Sequence, residues 1–191
     1  METTLERRRR RRRQAMTLLE YLDTPESAGP EELIFGALRA AESPTTAHQE
    51  IVGRLHVFLF AHLAERRLGG VWLAPLDVIL DPDAPLVVQP DLFVIRRDGA
   101  AIVDRKVYGA PDLVIEVLSP KPRLGTVEER VGWFRDYGVR ECWLVHQIER
   151  TVDVLQFTGT TTVRRRYAAG EPIQSRVLPD FDRSLASMLD R

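Results

Sequence analysis

The chain has 191 residues, with 27 lysines and arginines against 28 aspartates and glutamates and a formal net charge of −1. That length suits one domain with a core of its own. A single cysteine, Cys142, excludes an internal disulfide and a cysteine zinc site, and the apolar runs are strand-sized, far short of the ~20 residues that a bilayer-spanning helix needs.

The near-neutral total conceals an asymmetry. Arg7, Arg8, Arg9, Arg10, Arg11, Arg12 and Arg13 form an unbroken run, and taking those seven charges away from −1 leaves −8 on the rest. Residues 1–14 are therefore read as a basic, disordered arm, followed by one domain over 15–191. Such a block of like charge does not fold by itself. It is either a solvated tail or a set of phosphate contacts acting through counterion release. No apolar stretch precedes a small-residue cleavage site, so no secretory signal is expected and the expected location is the cytoplasm. Lysine is nearly absent, only Lys106 and Lys121 being present.

A short helix is expected from Met16 to Tyr21, and a loop from Asp23 to Pro30. Glu32 to Ala40, apolar with Gly36 at its middle, reads as a strand pair or a bent strand. Thr46 and Gln49 have the spacing of a capping box. Beyond them Ile51, Val52, Leu55, Phe58, Leu59 and Leu63 recur at helical spacing, so a helix runs to Arg66 and is ended by Gly69-Gly70.

Val71 to Leu80 is rich in branched and aromatic residues and reads as a strand, broken by Pro82, Asp83 and Pro85. Leu92 to Ile95 is a second, short strand. Arg96 to Gly109 is polar and reads as loop with a turn of helix. Asp112 to Leu118 is apolar on both faces, which places it centrally in a covered sheet. Thr126 and Glu129 form a second capping box, and the helix they open turns Val127, Val131 and Phe134 to the core before Gly138 stops it. Glu141 to His146 is a fourth strand. Val152–Phe157 and Thr161–Tyr167 make a hairpin, and Ser184 to Leu189 a last short helix. The pattern is α/β (α+β): a mixed sheet core flanked by helices, with a C-terminal hairpin.

Two acids carry the chemistry. Glu116 lies inside the apolar strand Leu113-Val114-Ile115-Glu116-Val117-Leu118. A carboxylate there loses hydration, at a cost of several kcal/mol unless a basic partner, backbone donors or a metal ion compensates. Asp91, in Gln89-Pro90-Asp91-Leu92, opens a strand directly after a proline. By itself it is either a turn aspartate or a ligand. With Glu116 on a neighbouring strand, the two carboxylates come side by side, and paired oxygens of this kind suit Mg²⁺. His48 falls on the helix face of Ile51, Val52, Leu55 and Leu59. It is either a hydrogen-bonded core residue or an active-site neighbour at the start of the helix, where an anionic partner is favoured.

These stretches, together with Glu32-Leu33-Ile34, Ala74-Pro75-Leu76-Asp77-Val78 and Tyr137-Gly138-Val139-Arg140-Glu141-Cys142-Trp143, resemble the Uma-type restriction endonucleases of the PD-(D/E)XK nuclease superfamily. The resemblance covers the chain from about residue 17 to its end. It implies a restriction-endonuclease-like fold and a metal-dependent DNA endonuclease, with Asp91 and Glu116 as catalytic acids and metal ligands. Glu32 is implied as a further metal ligand, and Mg²⁺ or Mn²⁺ as cofactor.

The superfamily's simplest pattern sets a lysine two residues after the second acid, where this chain has Leu118. The family's displaced lysine falls here on Arg130, and the aspartate before it on Thr126. Arginine stays protonated and cannot act as a base, although it stabilises negative charge. Lys121 is either a substitute for the missing lysine or a loop residue in solvent. DNA is the expected partner, a homodimer the expected assembly because a duplex has two strands to cut, and the Arg7–Arg13 run a possible set of phosphate contacts. The alternative is a catalytically degenerate scaffold that binds nucleic acid or another protein.

Overall fold

The structure is a computed structural model that describes residues 15–25, 30–40, 43–119 and 126–190. The expected basic arm lies outside these residues. The first helix, α1 (Leu18–Leu22), opens on a reciprocal capping box between Thr17 and Glu20. The strand pair expected around Gly36 forms as β1 (Glu31–Ile34) and β2 (Ala37–Ala40). Phe35 and Gly36 both take positive φ, 49° and 82°, the twist that a two-residue hairpin loop requires.

The long helix α2 (Thr46–Arg66) is capped one residue earlier than its sequence suggests. Thr45 accepts from the His48 N–H, and no box forms between Thr46 and Gln49. The helix ends on Arg67, left-handed at φ 53°, rather than on the glycine pair. Gly69-Gly70 instead begins β3 (Gly69–Leu73). A Cβ on Gly69 would stand 2.2 Å from the Ile95 carbonyl oxygen, so close pairing there requires glycine.

Val71 to Leu80 is not one strand. The chain turns at Ala74-Pro75, a cis peptide, and resumes as β4 (Val78–Asp81) in a different sheet. Pro75 has no N–H to give a ladder, which breaks the run. A strand that the sequence does not announce follows, β5 (Leu86–Val88), and then β6 (Leu92–Arg96). The expected helical turn in 96–109 is absent. The segment instead holds two two-residue strands, β7 (Ile102–Val103) and β8 (Val107–Tyr108). β9 (Leu113–Leu118), α3 (Val127–Asp136), β10 (Glu141–His146), β11 (Thr151–Thr158), β12 (Thr161–Tyr167) and α4 (Leu185–Leu189) complete the order much as read. Thr126 and Glu129 do form the reciprocal box that starts α3.

One mixed sheet was the expectation, and two six-stranded ones form. The first has the order β2-β1-β5-β4-β8-β7 and the second β12-β11-β10-β9-β6-β3. Each is mixed: β4 runs parallel to β8, and β9 parallel to β10. β9 is central, as its two apolar faces require. Leu113, Ile115 and Val117 pack with Leu55, Leu59 and Leu63 of α2. Val114 points the other way, into a second core with Phe93, Cys142, Leu144, Ile34, Val88 and Phe134. Burial of each such side chain contributes roughly 1.5–3 kcal/mol. The three tryptophans take core contacts: Trp72 stacks on Phe93, Trp133 meets Phe35 edge-on and Trp143 packs on Phe181. Strand alternation sends Glu116 to the same side as Val114, between the two sheets. Among the described residues no helix is long and apolar enough to cross a membrane.

Candidate active site

Register brings the two acids together. β6 pairs antiparallel with β9, Leu92 opposite Ile115 and Phe93 opposite Val114. Asp91, one residue before β6, therefore stands opposite Glu116, on the same face. The Val117 N–H donates to Asp91 Oδ2 at 2.8 Å, tying this carboxylate to the strand that carries Glu116. His48 Nε2 lies 3.1 Å from the same oxygen. His48 is buried in the first turn of α2, so the cap that starts this helix also sets the ring against Asp91.

On the other side of Glu116 stands Arg130, in the first turns of α3. Its Nη2 donates to Glu116 Oε1 at 2.7 Å and its Nε to the same oxygen at 3.2 Å. Its Nη1 donates to Glu32 Oε2 at 2.7 Å. The remaining oxygen of Glu32 accepts from the Gln89 N–H at 2.8 Å. The guanidinium also lies over the Phe134 ring, 5.7 Å from its centroid. Glu32, Glu116 and Arg130 are all mostly buried, with 3%, 15% and 12% of their side chains exposed.

Glu116 and Glu32 share the guanidinium of Arg130, while Asp91 is held by His48 and the Val117 N–H. Burial pushes the Glu116 carboxyl up to about 7; Arg130 opposes that rise, and Asp91 and Glu32 add to it. Burial works against the charge of Arg130, but Glu116 and Glu32 more than restore it and raise its pKa. Cys142, buried near Glu116, is raised well above the usual thiol range, by burial first and by Glu116 next. A thiol in that state is inert.

The donor set suits a hard divalent cation. The groups on offer are carboxylate oxygens, and the two acids face each other across adjacent strands. Among the described residues no three His, Cys, Asp or Glu side chains group closely enough to hold an ion by themselves. Mg²⁺ is commonly held by one or two carboxylates with water and phosphate oxygens, and Asp91 and Glu116 are the residues that could supply the carboxylates.

Of the residues singled out in the sequence, Asp91, Glu116, Glu32, Arg130 and His48 converge. Lys121 and Arg7–Arg13 lie outside the described residues. Thr126 serves as the N-cap of α3, and Leu118 packs at the edge of the inter-sheet core. Two members of the site were not foreseen: the N–H groups of Gln89 and Val117. Backbone donors carry no side-chain signal, and only the strand register reveals them.

The model of the family described as "Uma2: Putative restriction endonuclease" matches residues 18–186. No curated protein matches the chain. Among solved structures, that of a "putative nuclease belonging to DUF820" from Anabaena variabilis ATCC 29413 is similar at a TM-score of 0.75, with 20% identity, over 91% of this chain and 97% of that one. At that identity the likeness is one of fold.

Proposed function

The chain belongs to the Uma2 family, and from that membership we propose that it is a metal-dependent endonuclease hydrolysing phosphodiester bonds in DNA. The observation that carries the reading is the pairing of Asp91 with Glu116 across β6 and β9, beside the fixed guanidinium of Arg130. Asp91 and Glu116 would hold Mg²⁺ or Mn²⁺, with Glu32 at hand behind Arg130. When bound, the ion supplies Lewis-acid polarisation of the scissile phosphodiester.

The chain's own groups do the rest. The Val117 N–H and His48 hold Asp91 in one orientation. Glu116 is held by Arg130 through Oε1 and stands beside Asp91 as the second carboxylate of the site. Arg130 is permanently charged, so its part is to offset the negative charge that builds on the phosphoryl oxygens. Glu32 and Gln89 keep that guanidinium in place. Two copies related by a two-fold axis would present one such site to each strand of a duplex.

The test is cleavage of supercoiled plasmid with and without Mg²⁺ or Mn²⁺. Metal-dependent nicking is expected from the wild type and not from Asp91→Asn or Glu116→Gln. Equal activity in all three overturns the assignment. One observation favours a second reading, a nuclease scaffold that no longer cuts: Arg130 stands at the family's lysine position and is locked between two carboxylates. An inactive wild type that gains cleavage as Arg130→Lys would identify the degenerate form.

A further inference from the structure

The register row through the candidate acids continues across the sheet. Glu116 of β9 pairs with Leu144 of β10, Leu144 with Asp153 of β11, and Asp153 with Arg166 of β12. Residues in one such row share a face. Arg164, two residues back along β12, lies on that face too.

Asp153 is fully buried and sits under both arginines. Arg166 grips it with a fork, Nε to Oδ1 at 2.7 Å and Nη2 to Oδ2 at 2.8 Å. Arg164 Nη2 also donates to Oδ2, and His146 Nε2 lies 2.7 Å from that oxygen. Burial alone would raise the Asp153 carboxyl, but the hydrogen bonds of Arg166, Arg164 and His146 drive it well below the usual carboxylate range. It is thus a fixed anion.

Each arginine keeps its outer half in water, with 55% of Arg166 and 54% of Arg164 exposed. Two guanidiniums share one buried carboxylate, and the second positive charge is opposed by the exposed, solvent-screened Glu149. Asp153 holds both guanidiniums at a surface that water reaches, and an arginine already fixed in place loses less freedom on binding a phosphate. The acid nearby is Glu149, exposed and 3.9 Å from His146 Nδ1.

We infer that Arg164 and Arg166 form a phosphate-binding track for the nucleic-acid backbone, on the face that carries Glu116. The inference rests on the nuclease reading for its ligand and adds a second contact region away from the acids. Three strand steps of about 4.8 Å separate β9 from β12, roughly 14 Å.

The experiment is equilibrium binding of the full chain to a fluorescein-labelled duplex in EDTA, read by anisotropy across salt concentrations. The slope of log affinity against log salt is expected to shrink by about 1.8 in an Arg164→Gln, Arg166→Gln double variant, two phosphates at about 0.9 each. The Arg164→Lys, Arg166→Lys variant is expected to keep it. An unchanged slope in the glutamine variant overturns the track. Because that variant strips a buried aspartate of its partners, a second measurement uses the wild type alone. Arginine-selective dicarbonyl labelling should be slowed at Arg164 and Arg166 by the duplex, and equal labelling overturns the track. A wild type that binds with the arginine-dependent slope but cuts nothing keeps the track and removes the hydrolase. One that cuts while the slope stays unchanged does the reverse. A chain that binds no duplex overturns the track.

Discussion

His48 meets Asp91 at 3.1 Å across 43 residues of sequence. The same carboxylate oxygen accepts from the Val117 N–H, so helix α2 and strand β9 fix it from two sides. On the proposed reading, in which Asp91 is a metal ligand, this contact orients the carboxylate rather than reacts. Partners of this kind are worth about 10–100-fold in metal affinity or activity. His48→Leu is expected to lower single-turnover cleavage by about that factor, and His48→Gln, which keeps a donor, to recover part of it. Melting curves of both variants separate this from loss of fold. Cleavage by His48→Leu at the wild-type rate would make the histidine a packing residue.

Arg130 joins Glu32 and Glu116, and both acids are mostly buried. Replacing it by a neutral side chain leaves two uncompensated carboxylates, and breaking a buried pair in this way costs about 3–5 kcal/mol. Arg130→Met should show a loss of that size in urea unfolding at pH 8. Arg130→Lys should fall between, because an ammonium lacks the fork that reaches both acids at once. The double variant Arg130→Met, Glu116→Gln should recover part of the loss. A recovery near zero would mean that Glu116 is not what Arg130 neutralises.

Glu116 gives stability a pH dependence of definite sign. Its carboxyl titrates near 4.5 in the unfolded chain and at about 7 in the folded one. The folded state therefore holds its proton more tightly. That contribution is fully present below pH 4.5 and is lost as pH rises through 7, by roughly 3 kcal/mol at 1.36 kcal/mol per unit. Glu116→Gln has no such proton to lose. Its stability relative to wild type should rise between pH 4.5 and 7.5 and level off on either side. A difference independent of pH would show that the carboxyl titrates normally.

How far the sequence discloses this site depends on where each signal lives. Glu116 stands out because a charge in an apolar strand breaks a local pattern. Arg130 is reached through the resemblance, as the place of the family's displaced lysine, and the capping box that starts α3 fixes where on the helix it stands. β5 and the pair β7–β8 show no pattern, since strands of two or three residues exist only through partners distant in the chain. The run Val71 to Leu80 looks uniform, and its division between two sheets follows from one proline and from the register of β3 against β6. Arg164 and Arg166 alternate about Arg165 in a strand, which is a legible pattern. Their meaning comes from Asp153, which pairs with Arg166 across the hairpin, and a hairpin's register is set by its turn.

A divalent ion that binds the folded chain alone must raise its melting temperature. The gain is about 2.7 kcal/mol when the ion is at 100 times its dissociation constant. Mn²⁺ is expected to raise the melting temperature of the wild type and not that of Asp91→Asn or Glu116→Gln. Monovalent salt at matched ionic strength controls for screening. The shift should also grow as pH passes through 7, because Glu116 must shed its proton to serve as a ligand. Arg130 already occupies Glu116 Oε1, so the ion has to share that carboxylate or displace the guanidinium. Arg130→Met should then show a larger Mn²⁺ shift than wild type, even though it starts from a lower melting temperature. Equal shifts in wild type and Glu116→Gln would place the ion elsewhere and remove the metal from this pair of acids.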